Sequence, residues 1–364
     1  MFFAYALIAC YWFIHFGGRL MISEQLQKII REIPKAELHL HIEGSIPWKL
    51  VPQFIERNKL DMPFSDMEGA LSYREKYLLS RSSDRLSTFI DMMRVLSQVL
   101  VTKEDYRDTL VEIARESSEQ NIVYQELMFV YSFSEDRGIP LETVIEGYRE
   151  GIKIAKGKYG IEIFLIANID NSIRPLRSLN FVKQLEKYRD VVVAIGVDSE
   201  AIAYPNFIHE QAFTKAKELG LYKTCHAGEF VGAISIWEAL KYYKTDRIDH
   251  GVRAIEDEKL LSYLGKHKIP LTVCPSSNID SQIFSSYEDI PIRKFLDAEI
   301  PITLNSDNPP WLGLNLIDEI LRIVDAHALS ERETIDIIKS GFKYSVKGQK
   351  HLEKVDVYLN NLEK

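Results

Sequence analysis

Cysteine is scarce in this chain: Cys10, Cys225 and Cys274 are the only three in 364 residues. Their spacing makes neither a disulfide framework nor a zinc-finger pattern. Cys225 and Cys274 fall inside apolar runs, where a small buried hydrophobe is the expected role. A reducing, cytoplasmic setting is the expectation. Long basic blocks are absent and the formal net charge is −8, which argues against a nucleic-acid-binding surface. A clear apolar run of about 20 residues, the length needed to span a bilayer, is missing too. The nearest approach is "MFFAYALIACYWFIHF" at the start. It is short for a span and lacks the Lys or Arg that opens a secretory signal; "LIAC" only loosely matches a lipoprotein cleavage site. We expect residues 1–20 to lie outside the fold, residues 21–364 to form one domain, and no membrane association. Internal repeats, low-complexity tracts and Gly/Ser linkers are also lacking.

What the chain does contain is apolar bulk, 46% hydrophobic residues, enough for a large core. From about residue 120 short β-rich runs alternate with helical text. The runs are 121–130, 161–168, 191–197, 222–228, 247–251, 269–275 and 300–307. Helical stretches at 141–158, 175–188, 206–219, 234–243 and 256–267 separate most of them. With an earlier run, "AELHLHIEG" at 36–44, the strands number eight. Most are continuously apolar, as in a parallel sheet buried on both faces. Eight such units predict an α/β fold, a (β/α)8 TIM barrel. Residues 46–120 form a helical insertion after strand 1, placed to cover the barrel mouth; the tail beyond Leu316 is helical.

In such a barrel the chemistry sits at the C-terminal ends of the strands. Strand 1 offers His39 and His41, two apart and therefore on one face. Strand 5 ends in "HAGE", with His226 and Glu229; strand 6 in "DHG", with Asp249 and His250; strand 8 in "NSDN", with Asp307 and Asn308. Singly, each has an ordinary structural explanation, such as a turn or a core histidine. Jointly they place three imidazoles and a carboxylate, His39, His41, His226 and Asp307, at one mouth. That donor set suits one Zn2+ per chain, with iron, manganese or cobalt as substitutes, and leaves a position for a water of lowered pKa. Glu229 is placed to move protons without ligating, and His250 to hold or deprotonate the water. The remaining histidines, His15, His209, His267, His327 and His351, read as surface or structural residues. Trp48, Trp237 and Trp311 are candidates for a pocket wall, with core packing the safer role for Trp237.

The motifs "PKAELHLHIEGS", "HAGE", "RIDHGVR", "PLTVCPSSN" and "NSDNP", in this order from about Pro34 to Gly313, resemble the adenosine deaminase family of metal-dependent hydrolases. The resemblance implies hydrolytic deamination of a small-molecule 6-aminopurine in purine salvage. It implies zinc on His39, His41, His226 and Asp307. Glu229 would give a proton to purine N1, His250 and Asp307 would orient the attacking water, and ammonia would leave. Two positions depart from the family pattern. Asn308 stands where the family usually has an Asp that contacts N7; an amide NH2 can also donate there. Glu43 stands where adenosine-specific members tend to have an Asp that reaches the ribose. Glu43, "AIGVDSE" and "IWEAL" look closer to the branch acting on free adenine, whereas "ELMFVYSF" lacks that branch's pattern and the 70–85 region is longer. The substrate-contacting set is then His41, Glu43 and Asn308. Adenosine, adenine and a modified adenine nucleoside all stay open as substrates. Two other readings are an amidohydrolase cleaving a cyclic amide and a catalytically attenuated binding protein.

Overall fold

The computed structural model describes residues 22–80, 85–199 and 204–362. The expected extension at 1–20, residues 81–84 of the polar stretch after strand 1, and Glu200 of "AIGVDSE" lie outside the described residues. Eight strands run β1 (Lys35–His41), β2 (Ile122–Val130), β3 (Glu162–Asp170), β4 (Val192–Asp198), β5 (Tyr222–Ala227), β6 (Arg247–His250), β7 (Leu271–Val273) and β8 (Ile302–Leu304). Each pairs in parallel with the next, in the order β1 to β8. The edges meet just past β8: the Asp307 N–H donates to the His39 carbonyl (3.2 Å) and the His41 N–H to the Asp307 carbonyl (3.0 Å). This is the predicted (β/α)8 barrel.

Local sequence accounts for the elements. β4, "VVAIGVD", is buried along its whole length, as β-branched strands covered on both faces are. The crossover helix Leu141–Tyr159 follows Pro140 and ends at Gly160 in the left-handed region (φ 70°), the usual glycine stop. The crossover after β6, Glu258–His267, starts two residues later than the apolar pattern predicts. The Asp257 carboxylate caps it by accepting from the N–H groups of Lys259 (2.9 Å) and Leu260 (3.3 Å). Such caps set a boundary that periodicity alone misses. Within the barrel the fully buried Arg247 donates to Glu126 (2.7 Å) and to the Leu38 carbonyl (3.2 Å), tying β6 to β2 and β1.

The insertion after β1 folds as helices Val51–Asn58, Met67–Ser80, Arg85–Leu96 and Lys103–Ser118. Met92 and Met93 of the third are buried and reach the cavity at the C-terminal end of the strands. The expectation that this segment lies over the mouth is met there. The tail is helical at 316–326, 331–343 and 352–362. Among the described residues no helix is long and apolar enough to cross a membrane.

Candidate functional site

β1 carries a one-residue irregularity between Glu37 and Leu40 in its pairing with β2. Glu37 accepts from Gln125, which also bonds Ser117 on the helix 103–118 outside the sheet. Within the bulge, His39 faces Thr272 and Asp249 inside the barrel, and His41 follows it towards the mouth. A bulge of this kind re-aims a side chain at a functional site.

The hydrogen bonds behind the rings fix which nitrogen is free. The Thr272 hydroxyl donates its single proton to Asp249 Oδ1 (2.9 Å), so it can only accept from His39 Nδ1, 3.0 Å away. That leaves the lone pair of His39 on Nε2. His226 Nδ1 lies 3.0 Å from the Val197 carbonyl, an acceptor only, so His226 Nε2 is free as well. Asp249 is the hub of this layer: it also accepts from Thr224 and lies 3.8 Å from Nδ1 of both His39 and His226. Carboxylate and hydroxyl partners of this type orient metal-binding histidines.

The front atoms converge. His41 Nε2 is 3.2 Å from His226 Nε2, and Asp307 Oδ1 is 3.5 Å from Nε2 of both His39 and His41. The ligand nitrogens of His39, His41 and His226 all lie within 4.8 Å of one another. Donors sharing one tetrahedral cation through bonds of about 2.0–2.2 Å stand about 3.3–3.5 Å apart. His39 Nε2 and Asp307 Oδ1 are buried and have no hydrogen-bond partner. Two facing buried polar atoms left this way are costly unless something binds both. The residues fit a metal ion.

Electrostatics agree with that fit. Burial lowers the His41 imidazole to about 4 and the His250 imidazole to about 3, and pushes His226 well below its ordinary value. The rings are therefore neutral at physiological pH, as ligation requires. Burial works against ionisation of Asp307, yet His39, His41 and His250 hold its carboxyl below the usual range. Two of the converging residues also adopt left-handed backbone, His250 at φ 61° and Asp307 at φ 60°. Such conformations are uncommon outside glycine and collect at functional sites. Consecutive residues of a regular strand face opposite sides. The turn at His250 lets both Asp249 and His250 serve the same centre.

Above this centre lies a cavity whose walls include Glu43, Met92, Met93, Phe133, Asp198, Glu229, His250 and Asn308. Glu229 Oε1 is 3.6 Å from His250 Nε2, and the Asn278 amide is 3.1 Å from His250 Nδ1. Glu43 accepts from the Val130 N–H (2.9 Å) and has a second oxygen buried without a partner. Asn308 abuts Gly44 so closely that a Cβ there would sit 1.6 Å from its Oδ1. Every predicted site residue thus reaches this one region.

The tryptophans do not line the cavity. Trp48 and Trp311 pack edge-to-face at 5.0 Å, and Trp237 donates to Asp257 (2.9 Å). His209 is structural, bonded to Ser178 (2.9 Å). The sequence reading assigned no role to Asp249, Thr272, Asn278, Met92, Met93 or Asp198. Asp249 carried a signal, its place in the "DHG" motif, and Asn278 likewise in "PSSN". The two methionines carried none.

The sequence model of the adenosine deaminase family matches residues 34–356. An adenine deaminase of Psychrobacter cryohalolentis is 32% identical over 332 residues, covering 90% of this chain and 98% of that protein. The crystal structure of an adenine deaminase from Arthrobacter aurescens superposes with a TM-score of 0.83 at 29% identity, covering 90% of this chain and 99% of that one. An amidohydrolase from Burkholderia ambifaria with bound zinc shares the fold at 20% identity and a TM-score of 0.83, covering 94% and 96%. Barrel, ordered motifs and end-to-end similarity lead to one assignment: the chain belongs to the adenosine deaminase family and is a hydrolytic deaminase.

Proposed function

We propose that this protein converts free adenine and water to hypoxanthine and ammonia, with zinc held by His39, His41, His226 and Asp307. The observation that carries the reading is the pair of unpartnered buried atoms, His39 Nε2 and Asp307 Oδ1, beside the mutually facing Nε2 atoms of His41 and His226 on the floor of a cavity that also holds Glu229. Bound there, zinc supplies Lewis acidity that brings the pKa of a water towards neutrality.

The chain's own groups do the rest. Glu229 gives a proton to N1 of the ring, which makes C6 electrophilic. His250, neutral and beside Glu229, takes the proton of the attacking water at Nε2, which requires Asn278 to turn its buried, partnerless Oδ1 to His250 Nδ1–H. Asn308 donates its amide N–H to N7 and orients the base. His250 passes the water's proton to the amino nitrogen, which leaves as ammonia when the C6–N bond breaks, and the remaining hydroxyl proton returns to Glu229, leaving the C6 carbonyl and N1–H of hypoxanthine.

Two observations favour the free base over the nucleoside. Relatives 31–36% identical over 78–93% of this chain are named adenine deaminases. In addition, the partnerless oxygen of Glu43 offers an acceptor in the wall. The imidazole ring of free adenine carries an N–H donor; a nucleoside has a sugar carbon at N9 instead. Among the described residues no lysine lines the cavity, which leaves no carboxylated bridge there for the two-metal hydrolysis of a cyclic amide.

The test is a zinc-loaded incubation with adenine, adenosine and 6-N-methylated adenine nucleosides, followed by release of ammonia (methylamine from the N-methylated substrates) and loss of absorbance at the adenine maximum. Turnover of adenine is expected. Zinc bound but no ammonia from any 6-aminopurine would overturn the reading.

A further inference from the structure

We propose that Arg94 is a specificity-determining residue that pins the helix Arg85–Leu96 across the cavity and so excludes purines substituted at N9. This rests on the adenine reading above. With C6 over the metal centre, N1 at Glu229 and N7 at Asn308, the N3/N9 edge of the base points away from β5, β6 and β8. The wall left for it is formed by Glu43 after β1, Met92 and Met93 of the helix 85–96, Phe133 just after β2, and Asp198 at the end of β4.

Arg94 closes the seam between these parts. It follows directly on the two methionines, which are 2% and 5% exposed, and its own side chain leaves the cavity for the rim. There its guanidinium lies 5.1 Å over the Phe133 ring and donates to Asp170 Oδ2 (3.1 Å) at the end of β3. One side chain therefore joins the helix to the ends of β2 and β3. Asp170 is a prepared anchor. Its carboxylate is buried, and its other oxygen is held by the N–H (2.9 Å) and hydroxyl (2.6 Å) of Ser172.

A group on N9 has to pass between the helix and these strand ends, so admitting it requires the seam to open. Free adenine has no such group. The ion pair acts on the choice between the two substrates rather than on the reacting atoms.

The experiment uses the full zinc-loaded chain and steady-state kinetics on adenine, 9-methyladenine and adenosine, with zinc content measured for every variant. For Arg94→Ala the KM for adenine is expected to rise about threefold or more while kcat stays within about threefold. The ratio of kcat/KM for adenosine to that for adenine is expected to rise about tenfold or more, with 9-methyladenine moving in the same direction. Arg94→Lys, which keeps the charge but not the planar stack on Phe133, should fall between wild type and Ala. A ratio in Arg94→Ala within about twofold of wild type overturns the proposal. If Arg94→Ala does not fold, Asp170→Asn is read the same way, because an amide oxygen still accepts from Ser172 while the charge partner is gone. The two readings fail differently. A wild type inactive on every 6-aminopurine sinks the proposed function. A wild type that takes adenosine as readily as adenine sinks the Arg94 proposal and leaves deamination standing.

Discussion

The hydrogen bond between Thr272 and His39 runs in one direction only: the hydroxyl has already given its proton to Asp249, so it accepts from His39 Nδ1 at 3.0 Å. The tautomer of a proposed ligand is thereby set by a residue outside the proposed ligand set. Thr272→Val removes the acceptor and keeps the shape. Zinc affinity, measured by competition with a chelator, should fall about 10–100-fold, the usual effect of losing such a partner. Thr272→Ser should stay near wild type. Equal zinc affinity in Thr272→Val and wild type would show that His39 needs no such orienting.

Glu229 reaches into the cavity 3.6 Å from His250 Nε2. Glu229→Gln keeps the size and loses the proton that N1 needs. Turnover of adenine should drop about 10²–10⁴-fold, the range for a positioned acid, with one zinc per chain retained. A variant with near-wild-type kcat and full metal content removes Glu229 from the chemistry.

Gly44 is a close-approach glycine: a methyl there would meet Asn308 Oδ1 at 1.6 Å and Met93 Sδ at 3.1 Å. Gly44→Ala must push Asn308 away from the base or displace the helix 85–96. The expected result is a loss of stability of about 1–3 kcal/mol, typical of overpacking, together with a higher KM for adenine. Unchanged kinetics with a lowered melting temperature would place the strain elsewhere.

Glu319 sits on the helix Leu316–Ala326, fully buried, and accepts from the Ser276 N–H (3.2 Å). Burial pushes its carboxyl up to about 8, against the opposing hydrogen bonds from Ser276. The folded value lies above the unfolded one. The native state therefore holds the proton more tightly, and its contribution is complete at pH below about 4.5. As pH climbs from there through 8 the contribution is lost, at up to about 1.4 kcal/mol per pH unit. Glu319→Gln should flatten the fall of unfolding free energy between pH 5 and 8 in denaturant titrations. Parallel pH profiles for variant and wild type would assign the slope to other groups.

Much of this was legible in the residues. The eight strands follow from runs such as "VVAIGV", because a strand buried on both faces must be apolar throughout. The proposed ligands follow from polar residues breaking such runs where a barrel opens. Helix starts at Glu210 and Glu258 were misplaced by two to four residues, since caps and preceding turns, not periodicity, set them. Met92 and Met93 were invisible as wall residues because an apolar residue on an insertion helix has the same pattern whether it meets core or substrate. The left-handed backbone at His250 and Asp307 was equally hidden. No glycine marks it, and only the completed sheet imposes it.

Asp307 belongs to the seam as much as to the site. Its N–H and carbonyl make the backbone bonds that, with Asn305 on Leu38 and Ser306 on Glu37, bring the last strand to the first, about as late in synthesis as the sheet can be finished. A chain with β1 to β7 in place has the three proposed histidine ligands but not the carboxylate of Asp307. Capture of the ion is therefore a report that the cylinder has shut, and an intermediate with an open edge is recognisable by its weak grip on zinc.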